Sequence, residues 1–372
     1  MKWPTNIGYA IGVLERLFYD VALELAGGDA TRVHFAFPDV SGGMPRTLPA
    51  GFNQVSQLDI NDSSPQTLRR LGALVQERGI DFALTFDMQP VHPMYRVMRD
   101  AGVRTIVSYW GAPISGMSPA WKRLVKRVQI LLSRSRVDGL VFESQAMADL
   151  AVLGRGVPQS MIDVVMLGVD ATRFRPEPSK YVHDALGIPL DRRVVVFTGH
   201  CTPRKGIRTL IEGASEILHV RKRRDVCFVL CGNQGDESKP YEALYADLGI
   251  GEWIRFAGYR NDVLRIFQSA FCGVIPSSGW DSFTMSSVEM AATGLPIVAS
   301  RLQGLEEAVL HEKTGLLFEP GNSKALADSI ERLANDPTLA ASYGSNGRAR
   351  CETELSTTVQ QRRFVAALRR HF

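Results

Sequence analysis

The apolar positions change period repeatedly along the chain. Over Ile11 to Ala26 they recur at helical spacing, and Gly27-Gly28 ends the run. Arg32 to Phe37 reads as a strand. Ser64 to Arg78 predicts a helix stopped by Gly79, followed by a strand over Phe82 to Phe86. His92 to Asp100 is the next helix, ended by Gly102, and Thr105 to Tyr109 the next strand. Gly139 to Phe142 and Val164 to Met166 complete the first half. The second half repeats the alternation. Strands are expected at Val194–Phe197, Asp225–Gly232, Trp253–Gly258, Phe271–Pro276 and Ile297–Ser300. A helix follows Lys205-Gly206 as far as Val220, another starts near Thr284, and Thr358 to Phe372 is helical and basic. Strands alternating with helices predict parallel sheets covered on both faces. Ligands of such sheets sit at the carboxyl ends of the strands.

Several stretches at those ends carry candidate chemistry. After Val194–Phe197 comes Thr198-Gly199-His200-Cys201-Thr202-Pro203-Arg204-Lys205-Gly206. Basic side chains between a strand end and a helix start suit a diphosphate, although a solvated turn has the same composition. After Phe271–Pro276 come small residues, Asp281, and a helix start in which Ser286-x-x-Glu289 fits a capping box. Gly294 stops that helix and Pro296 opens the next strand. The unpaired N–H groups of such a helix start attract anions. Carboxylates do not bind phosphate, so Asp281 and Glu289 would face sugar hydroxyls, or else one is a loop acid and the other a cap. Gly8 and Gly12 stand before the first helix, where glycine permits close approach to a ligand or simply makes a turn. Trp110 ends a strand in Tyr109-Trp110-Gly111-Ala112-Pro113. It stacks on a sugar face or is a core Trp beside a turn.

The run Asp281, seven residues, then Glu289-Met290-Ala291-Ala292-Thr293-Gly294-Leu295-Pro296 resembles the donor-binding signature of the GT-B glycosyltransferases, in particular the retaining family 4. Gly304 to Glu307 and His311 to Phe318 resemble that family's next block, and Gly168-Val169-Asp170 with Phe174 and Pro176 its GVD segment. The resemblance is strong over about 160 to 340 and weak before that. There are departures. The first acid is usually Glu, small residues usually stand where Ser282 and Thr284 are, His200 occupies an Arg position, and Leu167 replaces Asn. A first strand usually precedes the Gly-rich loop, and only MKWPTNI stands before Gly8.

The resemblance implies an α/β protein of GT-B fold: two Rossmann-like, doubly wound domains facing across a cleft, with the C-terminal helix crossing back to the first. The domains would be 1–174 with helix 356–372, for the acceptor, and 175–355, for the nucleotide sugar. Lys205, with Arg204 or His200 and Gly199, would hold the diphosphate, with backbone N–H groups of Phe283, Thr284 and Met285. Asp281 would meet the transferred sugar, Glu289 the ribose, and Tyr259 and Arg260 the base. Gly8, Tyr9 and Trp110 would lie on the acceptor side. The implied reaction moves a sugar from a UDP- or GDP-sugar to a hydroxyl of a sugar, glycan or lipid-linked acceptor, with retention. Cationic side chains replace a metal, and no other cofactor is implied. The alternative is a catalytically degenerate, nucleotide-sugar-binding partner subunit. A dinucleotide oxidoreductase is disfavoured, because no G-x-G-x-x-G turn with a downstream acid is present.

Composition adjusts this picture little. The 372 residues suggest two domains, and 45% apolar with 22% charged residues is ordinary for a globular protein. A net charge of +4 is too mild to argue for nucleic acid. No apolar run reaches the ~18 residues of a membrane span, and the N-terminus lacks the order of a signal peptide, so a cytoplasmic location is expected. Five scattered cysteines, Cys201, Cys227, Cys231, Cys272 and Cys351, read as buried small hydrophobes in a reducing compartment. Trp121 to Arg136 alters the picture more. It carries Lys122, Arg123, Lys126, Arg127, Arg134 and Arg136 among apolar residues and no acid. It is a helix with a solvated basic face, or one that rests on the anionic inner face of a membrane.

Overall fold

The computed structural model describes residues Met1–Phe372 apart from Ser115 and Gln234. The chain divides into one unit of Met1–Met166 with Gln360–Phe372 and a second of Leu167–Val359. In the first, β1 (Phe35–Phe37) and β2 (Val55–Gln57) form a parallel pair. β3 (Phe82–Phe86), β4 (Thr105–Trp110), β5 (Gly139–Phe142) and β6 (Ile162–Val164) form a parallel sheet in that order. Local chemistry fixes its helices. Helix Pro65–Arg78 has Ser64 accepting from the Thr67 N–H, proline at its first position, and Gly79 left-handed at φ 59°. Every residue of β4 is buried, as expected of a strand covered on both faces.

Some expected elements differ. The strand foreseen over Arg32–Phe37 keeps only Phe35–Phe37, because Asp29 accepts from the Thr31 N–H and turns Ala30–Arg32 into a 3₁₀ helix. The strand foreseen at Val164–Met166 lies at Ile162–Val164, where it pairs with Leu140–Phe142. The basic helix runs Ala120–Leu132 and stops short of Arg136.

The last helix, Thr357–Arg369, supplies Phe364 and Leu368 to the first unit's interior, both fully buried. The Phe364 ring lies 6.0 Å from that of Phe18 and 5.4 Å from that of Tyr109. Past the helix end, Arg370 and His371 bond the buried Asp163 carboxylate at 2.6 and 2.9 Å.

The second unit holds six parallel strands: β7 (Arg193–Thr198), β8 (Val226–Cys231), β9 (Ile254–Gly258), β10 (Cys272–Ile275), β11 (Ile297–Ser300) and β12 (Gly315–Phe318). Their order is β12-β11-β10-β7-β8-β9. The chain therefore lays three strands to one side of the sheet and then three to the other. The reversal falls between β7 and β10, the position at which sheets of this kind usually place a ligand crevice. All four residues of β10, β11 and β12 are buried, and all five cysteines are buried free thiols. Gly168 to Phe174 belongs to this unit rather than the first. The Arg348 guanidinium donates to the carbonyls of Ala171, Phe174 and Ala292 at 2.8, 2.6 and 2.8 Å and holds that segment.

Candidate functional site

The crevice predicted by strand order is bounded by residues 199–206 after β7 and 276–284 after β10. These loops are fastened to each other. The Arg204 carbonyl accepts from the Ser278 and Gly279 N–H groups at 2.8 and 3.3 Å, and Ser278 Oγ donates to the Pro203 carbonyl at 3.2 Å. Gly206 sits at φ +70°, and a Cβ there would come within 1.7 Å of the Pro276 carbonyl oxygen. Only glycine allows the backbones to meet so closely. Farther in, Thr198 Oγ1 donates to Ser286 Oγ at 2.8 Å, joining the end of β7 to helix Met285–Ala292.

At the centre, the Lys205 ammonium donates to Asp281 Oδ2 at 2.6 Å. The side chains are 14% and 4% exposed. Ser277 Oγ donates to the same oxygen at 2.6 Å, and the Ser282 N–H to Oδ1 at 3.2 Å. Arg204 Nη1 lies 3.7 Å from Oδ1. The Arg204 guanidinium also stacks 4.3 Å from the Trp280 ring centre and donates to the Trp280 carbonyl at 3.2 Å. Burial pushes the Lys205 ammonium below its usual pKa, and Asp281 partly offsets this.

The helix beside this pair starts differently from the sequence expectation. Its cap is Thr284, whose Oγ1 accepts from the Ser287 N–H at 3.3 Å. The expected Ser286–Glu289 capping box does not form, because Ser286 is engaged with Thr198. Thr284 holds φ +53°, a strained value for a β-branched residue. Phe283 is fully buried, and Glu289 is buried within the helix. The first-turn N–H groups, Met285 among them, lack partners within the helix and carry the positive end of its dipole.

Other expected site residues are dispersed. His200 is exposed and Gly199 donates its N–H to the Cys231 carbonyl. Tyr259 and Arg260 follow the edge strand β9. Tyr259 is exposed, and Arg260 Nε bonds Asp262 at 2.8 Å. In the first unit, Gly8 and Tyr9 begin helix Tyr9–Leu25. Trp110 is 4% exposed and packs 6.4 Å from Phe142, so of its two readings the structure takes the core one. Two residues escaped the sequence reading. Ser277 gives no signal beyond a small residue in a loop. Gln303 holds φ +45°, and its Oε1 accepts from the Asp281 N–H at 3.3 Å. Its place just before Gly304, in a block already singled out, was the available signal. Among the described residues no three His, Cys, Asp or Glu side chains gather as a metal site.

A buried ammonium, a guanidinium and a helix start at a strand-order reversal are groups from which anion sites are built. Residues 180–350 match the sequence profile of the family described as glycosyl transferases group 1. The match falls within the second unit. The D-inositol 3-phosphate glycosyltransferase of Corynebacterium urealyticum is 32% identical over 187 residues, 48% of this chain and 44% of that protein. That of Acidothermus cellulolyticus is 31% identical over 229 residues, 59% of this chain and 50% of that protein. The chain thus spans about half the length of the curated relatives it matches. Outside and within the group 1 domain the fold is GT-B. A Rickettsia africae glycosyltransferase superposes with a TM-score of 0.82 at 17% identity, covering 99% of this chain and 96% of that one. Anabaena HepE, solved with UDP and glucose, gives 0.76 at 19% identity, covering 99% of each chain.

Proposed function

We propose that this protein is a retaining glycosyltransferase that moves a sugar from a UDP- or GDP-sugar to a hydroxyl acceptor, without a metal. The observation that carries the reading is the buried Lys205 ammonium at the β7/β10 reversal, beside Arg204 and the start of a helix. As the sugar–phosphate bond breaks, negative charge grows on the leaving diphosphate. Cations and N–H groups already fixed there stabilise that charge more than they stabilise the bound donor, which lowers the barrier. Glu289 is assigned to the ribose, and Tyr259 and Arg260 to the base. The relatives' name makes inositol phosphate the first acceptor to test, and HepE's ligands make UDP-glucose the first donor.

The acceptor or its lipid carrier would be met in the cytoplasm, at an anionic bilayer. Helix Ala120–Leu132 buries only Ile130 and exposes Trp121, Leu124, Val125, Val128, Leu131 and Leu132 beside Lys122 and Arg123. Apolar exposure rimmed by cations suits an anionic lipid surface.

A second reading, a nucleotide-sugar-binding subunit without transfer, is favoured by His200 standing where the resembling family has Arg. A thermal-shift panel of UDP-, GDP- and ADP-sugars, followed by a transfer assay with inositol phosphate and other hydroxyl acceptors, tests both. Binding with turnover supports the transferase. Binding without transfer or donor hydrolysis supports the subunit, and no binding rejects both.

A further inference from the structure

We infer that Trp280 is a positioning residue: its indole holds the Arg204 guanidinium at the crevice, in place for the donor's diphosphate. The inference rests on the reading of the crevice as a nucleotide-sugar site and adds a residue to it. A guanidinium on a long, flexible stem is costly to immobilise when a ligand arrives. Here both ends of Arg204 are already held, and residues 278–280 do the holding. The Arg204 carbonyl accepts from the Ser278 and Gly279 N–H groups at 2.8 and 3.3 Å. A Cβ on Gly279 would stand 2.9 Å from the Arg204 Cβ, so glycine lets that backbone lie flush against the stem. At the far end, the guanidinium lies 4.3 Å from the Trp280 ring centre, and Nη1 donates to the Trp280 carbonyl at 3.2 Å.

What this leaves is a fixed charge with donors to spare. A guanidinium carries five N–H donors. Among the described residues, the Trp280 carbonyl is the one acceptor that the Arg204 guanidinium bonds. Asp281 stands 3.7 Å away and is itself bonded to Lys205 at 2.6 Å. One carboxylate shared by two cations leaves positive charge over. The Arg204 side chain is 32% exposed against 14% for Lys205, so it is the more open of the two to a ligand. A guanidinium over an aromatic ring gives its face to the ring and keeps its N–H edge for hydrogen bonds. That edge is the part that grips phosphate oxygens.

A double-mutant cycle tests the coupling. Calorimetry measures UDP binding to wild type, Trp280→Ala, Arg204→Ala and the double variant, or GDP binding if wild type prefers it. Trp280→Phe, which keeps an aromatic face, is the rescue variant. Trp280 is 37% exposed, so its replacement leaves no large cavity in the core. Trp280→Ala should lose about fivefold in affinity, on the scale of a cation–π contact, and Trp280→Phe should recover most of that loss. In the Arg204→Ala background the same Trp280→Ala change should cost less than about twofold, because the group it positions is gone. An equal loss in both backgrounds overturns the inference, as does undiminished affinity in Trp280→Ala. A loss seen with the sugar nucleotide but not with the bare diphosphate would make Trp280 a platform for the sugar, and overturns it too. Should wild type bind neither UDP nor GDP, the reading of the site falls and this inference with it.

Discussion

Thr284 shows how much of this site is settled one residue at a time. Its φ of +53° strains a β-branched residue, yet its hydroxyl caps the helix that bounds the crevice. Alanine would keep the strain and lose the cap, so Thr284→Ala should cost about 1 kcal/mol. Thr284→Gly loses the cap but releases the strain, and urea unfolding should find it at least as stable as wild type. Lys205→Ala should lower kcat/KM by ~10²-fold, the scale of losing one preorganised electrostatic group. Steady-state kinetics checks this, and wild-type rates would remove Lys205 from the phosphate site. Lys205 and Asp281 were individually legible, since each lies in a motif with its own spacing. Their pairing was not, because they are 76 positions apart and only strand order brings them together. The choice of cap was also hidden. Thr284 and Ser286 both suit the role, and the hydroxyl of Thr198, on a strand 88 positions away, decides between them. Trp110 had two chemically sound uses, and the packing around Phe142 selected one.

At the scale of elements, strands and helices with glycine or proline boundaries were read nearly to the residue. Helix Pro65–Arg78 and strand Phe82–Phe86 are examples. Boundaries without such marks moved, as at Ile162–Val164, where pairing with β5 and not composition sets the register. Helix Ala120–Leu132 refines a reading made from charge alone. Lys126 donates to the Gly154 carbonyl at 2.9 Å and Arg127 to the Gly156 carbonyl at 3.4 Å, at the end of helix Gln145–Arg155. These two cations cap a neighbouring helix, so reversing them would disturb the fold. Lys122 and Arg123, with the exposed Arg134 just past the helix end, are the charges left for an anionic lipid. Each is worth about 1 kcal/mol at such a surface. Wild type should sediment with anionic vesicles at low salt and less at high salt. A Lys122→Glu, Arg123→Glu protein should bind measurably less. Equal binding by the two, or none by either, would detach the helix from a membrane role.

For the whole molecule, alternating elements made two α/β units legible, whereas the order of strands was not. Composition carries no record of which strand neighbours which, and the crevice depends on that order. Activity, once assayed, should persist in EDTA, because the charge at the crevice comes from Lys205 and Arg204. Loss with chelator and recovery with Mg²⁺ would reject metal-independent transfer. The last helix gives a stability prediction. Phe364→Ala removes a fully buried ring and should cost about 3–5 kcal/mol, seen as early unfolding of the first unit. That helix has a further consequence for the birth of the protein. The second unit is one continuous stretch, and its ends meet: the Val169 N–H donates to the Leu355 carbonyl at 2.8 Å and the Thr357 N–H to the Val169 carbonyl at 3.1 Å. The first unit is interrupted and needs Gln360–Phe372 to fill its interior. On the ribosome, Met1–Met166 must therefore wait for Gln360–Phe372, while the unit inserted between them closes on itself. Vectorial synthesis, which ordinarily lets an earlier domain fold ahead of its successor, runs here in reverse for these two units.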